Sequence, residues 1–222
     1  DAFIVLADAD IPAAVAAAVR ARFTNCGQVC LAAKRFLIEA SVAEEFSDLF
    51  TAAATALRSG DPLQASTQIG PMARDDLRAQ LEAQVAASVR AGARVRAGAR
   101  RGDSAGWYYQ PTVLDAVTPD MPVVAQETFG PVAALQVTRD ADEAVAMANA
   151  SDFGLSTMLW TADLDRARAL APRFEVGSVF VNSVTASDPR LPVGGVKLSG
   201  YGRELGRTGM LELCNQQTVW MA

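Results

Sequence analysis

A cysteine thiol is a strong nucleophile once ionised, and Cys30 stands where such a group could meet a substrate. It ends the run Asn25–Cys30, after a predicted helix and a glycine turn and just before an apolar segment. A junction of this kind can hold a thiol at a pocket wall, with backbone N–H groups that stabilise a thiolate or an oxyanion. On composition alone, a cysteine beside Val29 and Leu31 is more often a small core residue. Both interpretations stay open from the residues alone.

The second candidate is the segment Gln126–Pro131, which joins a carboxylate, an aromatic ring and a tight turn ahead of an apolar run. The carboxylate of Glu127 could accept hydrogen bonds from a sugar diol, and the ring of Phe129 could pack on a flat heterocycle. Taken alone, such a segment is more often a plain corner between a helix and a strand.

Histidine is absent from the sequence, which excludes Cys-His pairs, Ser-His-Asp triads and His-ligated metals within this chain. Any base must therefore be a carboxylate or a lysine, or lie elsewhere. The spacing of Cys26 and Cys30 matches no common metal motif, so no metal site is predicted. A disulfide between these two cysteines is also not expected, since it requires a Cα separation below about 7 Å.

The bulk composition indicates a soluble globular protein. Half of the residues are hydrophobic, 20% are charged and the net charge is −5. The apolar stretches are shorter than the roughly 20 residues of a membrane span, so no membrane association is predicted. The arginine-rich run Arg94–Arg101 contains no aromatic residue, and a solvated strand and loop is favoured over nucleic-acid binding. Three cysteines fit a reducing compartment, and we expect the cytoplasm.

Hydrophobic periodicity alternates between helical stretches and short strand-like runs, which predicts an α/β fold with a parallel sheet. Asp10 and Asp140 are expected to cap helices, and Ser41-Val42-Ala43-Glu44 has the spacing of a capping box. The predicted helices follow these signals at 11–23, 44–57, 73–91, 140–149 and 163–173. The predicted strands are Phe3–Leu6, Arg35–Ile38, Ala93–Arg96, Tyr109–Val113, Pro131–Val137, Ser156–Trp160 and Gly177–Val181.

The last part of the chain has a different texture. From Leu191 a glycine-rich segment is expected to form a loop. The apolar tail Gln217–Met221 is β-prone and has no following element to cover it, which favours pairing with another chain.

Together these segments resemble the aldehyde dehydrogenase superfamily, closest to the bacterial succinate-semialdehyde dehydrogenases, over nearly the whole chain. The segments that carry the resemblance recur in order: Phe3–Asp10, Asn25–Cys30, Gly60–Pro62, Ile69–Met72, Gln110–Leu114, Glu127–Pro131, Gly194–Gly200, Gly202–Glu204 and Gly209–Trp220. The implied fold is the α/β thiol (catalytic) domain of that family, a parallel-type sheet flanked by helices, followed by a C-terminal oligomerisation strand. The implied boundaries are 1–198 for this domain and 199–222 for a returning segment and the oligomerisation tail.

The resemblance also implies roles for individual residues. Cys30 would be the nucleophile, forming a thiohemiacetal and then a thioester, with its backbone N–H as half of an oxyanion hole. Glu127 would hold the nicotinamide-side ribose of NAD or NADP, Phe129 would pack near that end of the cofactor, and Glu204 would act as a proton relay. The substrate would be a small-molecule aldehyde, and the assembly a homo-oligomer.

Two departures from the family's pattern stand out. The deacylating Glu, the Asn of the oxyanion hole and the N-terminal dinucleotide-binding domain would all lie before Asp1, so we expect the start at Asp1 to mark a missing N-terminal half. Succinate-semialdehyde enzymes that read the distal carboxylate with an Arg can place it six residues before the nucleophile, where this chain has Thr24.

The predicted function is the oxidation of an aldehyde, with succinate semialdehyde first, to its acid with NAD(P). Two alternatives stay open. The chain could be a catalytically incompetent fragment that only folds and oligomerises, or a cofactor-independent thiol esterase that uses Cys30.

Overall fold

The computed structural model describes residues 1–103 and 105–222. Its strands are β1 Ala2–Val5, β2 Arg35–Glu39, β3 Arg94–Ala97, β4 Thr112–Asp115, β5 Val132–Thr138, β6 Phe153–Gly154, β7 Ser156–Trp160, β8 Ser178–Val181 and β9 Val196–Lys197. Its α-helices are α1 Ile11–Phe23, α2 Ala43–Thr55, α3 Asp75–Arg90, α4 Pro122–Ala125, α5 Ala141–Asn149, α6 Leu164–Leu170 and α7 Gly206–Glu212. Short 3₁₀ turns lie at Thr24–Gly27 and Ala171–Arg173.

Seven strands form one sheet in the order β3-β4-β5-β2-β1-β7-β8. Every pair in it is parallel except β3 with β4 at one edge. In the centre, Phe3 of β1 lies opposite Phe36 of β2 and Met158 of β7. The predicted α/β fold with a parallel-type sheet flanked by helices is therefore confirmed.

Helices cover both faces of this sheet, as a parallel sheet requires. On one face, Phe3 and Phe36 pack against Phe46 and Phe50 of α2, with ring centroids 5.0 to 6.4 Å apart. On the other face, alternate strand residues pack against α5 and α6, for example Ile4 and Leu37. Because every residue of β1 and β2 is buried, the ends of these strands are held in fixed positions beneath the loops that follow and precede them.

Two local predictions are wrong, and a third is not tested by the structure. Helix α2 begins at Ala43 with Val42 as its cap residue and no side-chain capping bond, so the predicted capping box is wrong. Ser41 precedes the cap position and is too early to serve it. The glycine-rich segment is not all loop, since it contains β9 and is followed by α7. The tail Gln217–Met221 is exposed and forms no strand within the single chain, so its pairing with another chain stays a prediction.

The structure also bears on membrane helices, metal clusters and the arginine-rich run. No helix in the described residues is long and apolar enough to cross a membrane, and no group of three or more Cys, Asp or Glu side chains there is arranged to hold a metal ion. In the arginine-rich run, Arg94 and Arg96 pair with Asp115, and Arg101 pairs with Glu82. These guanidinium groups are therefore occupied by carboxylates of the chain itself.

Candidate active site

The segment before Cys30 has an unusual backbone. After α1 ends, Asn25, Cys26 and Gly27 all have positive φ values of 52°, 56° and 70°. A left-handed conformation costs about 1–2 kcal/mol for a residue other than glycine, so surrounding contacts must hold this turn. Asn25 contributes one of them, because its side-chain amide donates to the carbonyl of Gln28 at 3.1 Å.

A buried arginine provides a second contact. Arg22 is 1% exposed, and its Nη2 donates to the carbonyl of Gly27 at 2.7 Å. Burial lowers the pKa of Arg22 to about 10. A side chain at position 27 would overlap the carbonyl oxygen of Gly130, and its Cβ would lie 2.6 Å from the Arg22 guanidinium. The turn before Cys30 and the loop after Glu127 are thus in direct backbone contact.

Cys30 lies in a turn closed by a 3.0 Å hydrogen bond from the Ala32 N–H to the Val29 carbonyl. Its side chain is exposed, which rules out the interpretation as a core cysteine. Within the part of the chain that the structure describes, the Cys30 N–H donates to no acceptor. Cys26 differs, because it is buried and burial raises the pKa of its thiol to about 11.

Cys30 and Glu127 line one cavity of about 300 Å³, called here the thiol cavity. Its wall also includes Lys34, Arg35 and Ser156. Cys30 and Lys34 precede β2, Arg35 begins β2, Ser156 begins β7, and Glu127 precedes β5. The cavity therefore lies at the amino ends of the parallel strands.

Two side chains fix the loop that carries Glu127. Lys34 Nζ donates to the carbonyls of Val124 (2.9 Å) and Gln126. From the other side, Gln84 Nε2 of α3 donates to the carbonyl of Glu127 at 3.0 Å. The carboxylate of Glu127 itself accepts no hydrogen bond from the described residues and is left exposed to a ligand.

The other two expected site residues line other cavities, each of which shares a residue with the thiol cavity. Phe129 is 37% exposed and shares a groove with Glu127, Leu77 and Gln80, but it does not line the thiol cavity. Glu204 lines a cavity of about 560 Å³ that also includes Cys30, called here the loop cavity. The structure therefore groups Glu127 with Cys30, Glu204 with Cys30, and Phe129 with Glu127.

Thr24 lies at a further cavity of about 300 Å³, called here the helix-end cavity. The residues on either side of Cys30 in the sequence, Val29 and Leu31, form part of its wall. Arg20, one helical turn before Thr24, is the charged member of this wall within the described residues. The Thr24 hydroxyl donates to the Arg20 carbonyl at 2.7 Å, so both residues lie on the same side of the helix end.

Sequence analysis missed Lys34, Gln84 and Arg22. Their partners lie far away in the chain or inside a turn whose shape the pattern does not reveal. One signal was available for Lys34, since two cations at the entry to a buried strand, Lys34 and Arg35, need acceptors there.

An α/β domain that presents an exposed thiol beside a carboxylate-bearing loop, at the amino ends of its parallel strands, is of a kind that can carry a cysteine nucleophile. The chain belongs to the aldehyde dehydrogenase family, whose family model matches residues 1–219.

The chain is similar to members of this family over nearly its whole length. It is 52% identical over 220 residues to the Escherichia coli (strain K12) succinate semialdehyde dehydrogenase [NAD(P)+] Sad, covering 99% of this chain and 48% of that protein. It is 46% identical to the Mycobacterium leprae succinate-semialdehyde dehydrogenase [NADP(+)], covering 100% and 49%. Betaine aldehyde dehydrogenase of Staphylococcus aureus, solved with NAD+, has a TM-score of 0.93 at 30% identity, covering 96% and 44%. The chain spans about half the length of these relatives.

Proposed function

We propose that this chain supplies the nucleophile and part of the cofactor site of an enzyme that oxidises an aldehyde to its carboxylic acid with NAD or NADP. The observation that carries the proposal is the shared thiol cavity of Cys30 and Glu127, residues that are far apart in the sequence. Family membership and the NAD(P) dependence named for the relatives support it.

Each site residue has a defined task in this reaction. The Cys30 thiolate adds to the aldehyde carbon, and the free Cys30 N–H donates to the oxygen that becomes negative. NAD or NADP, when bound, accepts the hydride. The unpaired carboxylate of Glu127 can accept from a ribose diol, and the exposed ring of Phe129 lies in the same groove. Glu204 would relay a proton during thioester hydrolysis, a role supported by the cavity that it lines together with Cys30.

The proposed substrate is succinate semialdehyde, which is named for the relatives from Escherichia coli and Mycobacterium leprae. Thr24 offers no charge to its distal carboxylate, but Arg20 in the helix-end cavity does. We therefore assign carboxylate recognition to Arg20. The proposed setting is the cytoplasm, with a homo-oligomer formed through the tail Gln217–Met221 and a dinucleotide-binding half that precedes residues 1–198 of the thiol domain.

The test is a single-chain chimera in which residues 1–222 replace the matching half of the Escherichia coli relative. We expect aldehyde-dependent NAD(P)H formation with succinate semialdehyde, abolished by Cys30→Ala and unaffected by Cys214→Ala, since Cys214 lies outside the three cavities around the nucleophile. Arg20→Gln should raise KM for succinate semialdehyde about tenfold, equivalent to about 1.4 kcal/mol, and leave KM for an uncharged aldehyde unchanged.

A folded chimera that oxidises no aldehyde with either cofactor would contradict the proposal. The 222-residue chain alone is expected to hydrolyse activated esters weakly at most. Strong ester hydrolysis that is lost in Cys30→Ala would instead favour a cofactor-independent thiol esterase. A chain that reacts with neither ester nor aldehyde would favour a fragment that only folds and oligomerises.

A further inference from the structure

Two backbone hydrogen bonds hold Lys34 in the wall of the thiol cavity. Its N–H donates to the carbonyl of Asp1 at 3.0 Å, and its carbonyl accepts from the Ala134 N–H at 3.1 Å. The backbone of Lys34 is thus fixed between the ends of β1 and β5, and its side chain starts from a defined position.

The ammonium group of Lys34 is only partly satisfied. It donates to the carbonyls of Val124 and Gln126, which uses two of its three N–H bonds. In the described residues no acceptor meets the third. Because nitrogen is tetrahedral, that remaining position holds a proton in the ammonium form and a lone pair in the amine form. The group lines the same cavity as Cys30.

Lys197, the other lysine of the sequence, makes a useful comparison. It also donates to two backbone carbonyls, those of Asn149 (2.7 Å) and Ser151 (3.1 Å), but Glu175 lies 2.7 Å from its Nζ. Lys34 makes no ion pair with any carboxylate that the structure describes. The charge of Lys197 is therefore stabilised by a partner that Lys34 lacks.

Burial lowers the pKa of Lys34 to about 7, and the positive charges of Arg35 and Arg22 act in the same direction. Glu127 opposes the shift. The amine form of Lys34 is consequently accessible at neutral pH, where an ordinary lysine would remain an ammonium.

We propose that Lys34 accepts the thiol proton of Cys30. The step converts a thiol and an amine into a thiolate and an ammonium, with no other reactant, and its proton crosses the cavity that both groups line. The thiolate is the form that attacks an aldehyde or an alkylating agent. This proposal rests on the proposed role of Cys30 as the nucleophile.

The other charged groups around the cavity have partners or are weaker bases. Arg35 donates to the carbonyls that end α5, Arg22 donates to Gly27, and the Asp1 carboxylate accepts from Ser156. Glu127 remains as a competitor, but an aliphatic amine is a stronger base than a carboxylate. Lys34 is thus the best proton acceptor available to Cys30 among these groups.

The experiment measures alkylation of Cys30 by iodoacetamide against pH, by peptide mass spectrometry on the 222-residue chain, with exposed Cys214 as the internal reference. The wild-type profile should show two inflections, because under the proposal the rate depends on the protonation of Lys34 as well as on loss of the thiol proton. Lys34→Arg keeps the charge and can still donate to both carbonyls, but it titrates far above this range, so its profile should have one inflection. Lys34→Met should also show one, with a rate near neutral pH lowered about tenfold. Lys197→Arg and Lys197→Met should retain two.

Two inflections in the Lys34→Arg profile, or one in the wild type, would overturn the proposal, and Lys34→Arg decides the matter even if Lys34→Met fails to fold. The reactivity of wild-type Cys30 relative to Cys214 tests the proposed function separately. If wild-type Cys30 reacts no faster than Cys214 at any pH, the nucleophile itself is misassigned and the proposed function falls with it. If Cys30 is faster but its profile ignores Lys34, the function stands and only the role of Lys34 is lost.

Discussion

The two ends of the parallel strands carry opposite kinds of side chain. The side of the sheet where these strands end is called here the carboxyl edge, and the side where they begin the amino edge. At the carboxyl edge, aspartates cap the starts of helices: Asp10 accepts from Ala13 N–H at 3.0 Å, and Asp140 from Glu143 N–H at 2.9 Å. At the amino edge, cations meet the carbonyls that end helices. Arg35 donates to the carbonyls of Met147 (2.6 Å) and Ala148 (2.8 Å), and Lys34 to the carbonyl of Val124, the neighbouring helix end.

This division follows from the direction of the chain. In a parallel sheet the helices run opposite to the strands, so helix ends with free carbonyls collect at the amino edge and attract cations. In open α/β sheets ligands usually bind at the carboxyl edge. Here Arg166 pairs with Glu39 and Asp8 at that edge. Cys30 lies at the cationic edge, in the same cavity wall as Lys34 and Arg35.

The largest effect is expected for Arg35→Met at the amino edge. It should lower the free energy of unfolding by about 3 kcal/mol, because two charge-assisted hydrogen bonds vanish and buried carbonyls at the end of α5 lose their donors. Arg139→Met is the matched control, since Arg139 forms an exposed pair with Glu143 at the other end of α5 and should cost about 0.5 kcal/mol or less. Urea unfolding of both variants measures the difference, and equal costs would break the comparison.

Glu39→Gln tests the carboxyl edge. Glu39 is 5% exposed, accepts from the Ala7 N–H and pairs with Arg166 at 3.2 Å. Loss of its charge should cost about 1–3 kcal/mol in urea unfolding, because Arg166 and the Ala7 N–H keep only a neutral partner. The alkylation rate of Cys30 should not change. A changed rate would mean that the two edges are coupled through the strands.

A smaller effect is expected at a helix start. Asp10→Ala should lower the free energy of unfolding by about 1 kcal/mol, because α1 loses its side-chain cap. Asp10→Asn keeps an oxygen acceptor and serves as the control, with most of the stability retained. If both variants lose the same amount, the charge of Asp10 matters more than its hydrogen bond.

The smallest effect concerns pH. Partial burial disfavours the charged form of Asp8, but hydrogen bonds from Thr161 and the Asp163 N–H, with Arg166 nearby, hold its pKa below the ordinary value of 3.8. A lowered carboxyl pKa stabilises the fold above the unfolded-state pKa, and this contribution disappears as pH falls through the folded-state pKa. Wild type and Asp8→Asn should therefore differ in Tm at neutral pH and converge in acid. A constant difference down to strongly acidic pH would exclude the linkage.

The same two edges show what the sequence could predict. Asp10 and Asp140 cap residues three positions away, so a short pattern reveals them, and periodicity located seven strands and five helices close to their true bounds. Lys34 reaches carbonyls about ninety residues away, and no local pattern carries that information. Helix α7 was not predicted from the sequence, because it begins at Gly206, contains Gly209 and follows Leu205 in a left-handed conformation.

For the candidate site, the resemblance identified Cys30, Glu127, Phe129 and Glu204, and the structure shows which of them share a cavity. The sequence could not predict that Phe129 lies outside the thiol cavity, because its place depends on how α3 packs beside the loop. Nor could it distinguish an exposed Cys30 from a core cysteine, since burial depends on chain segments distant in sequence.

The contact of Gly27 with Gly130 limits how this site can be redesigned. Any library that randomises residues 24–30 to broaden the substrate range should keep glycine at position 27, where even one methyl group collides with the opposite backbone. A substitution there separates two loops at once and shifts Cys30 and Glu127 together. Directed evolution therefore has more freedom at Thr24, which lines an open cavity, than at Gly27.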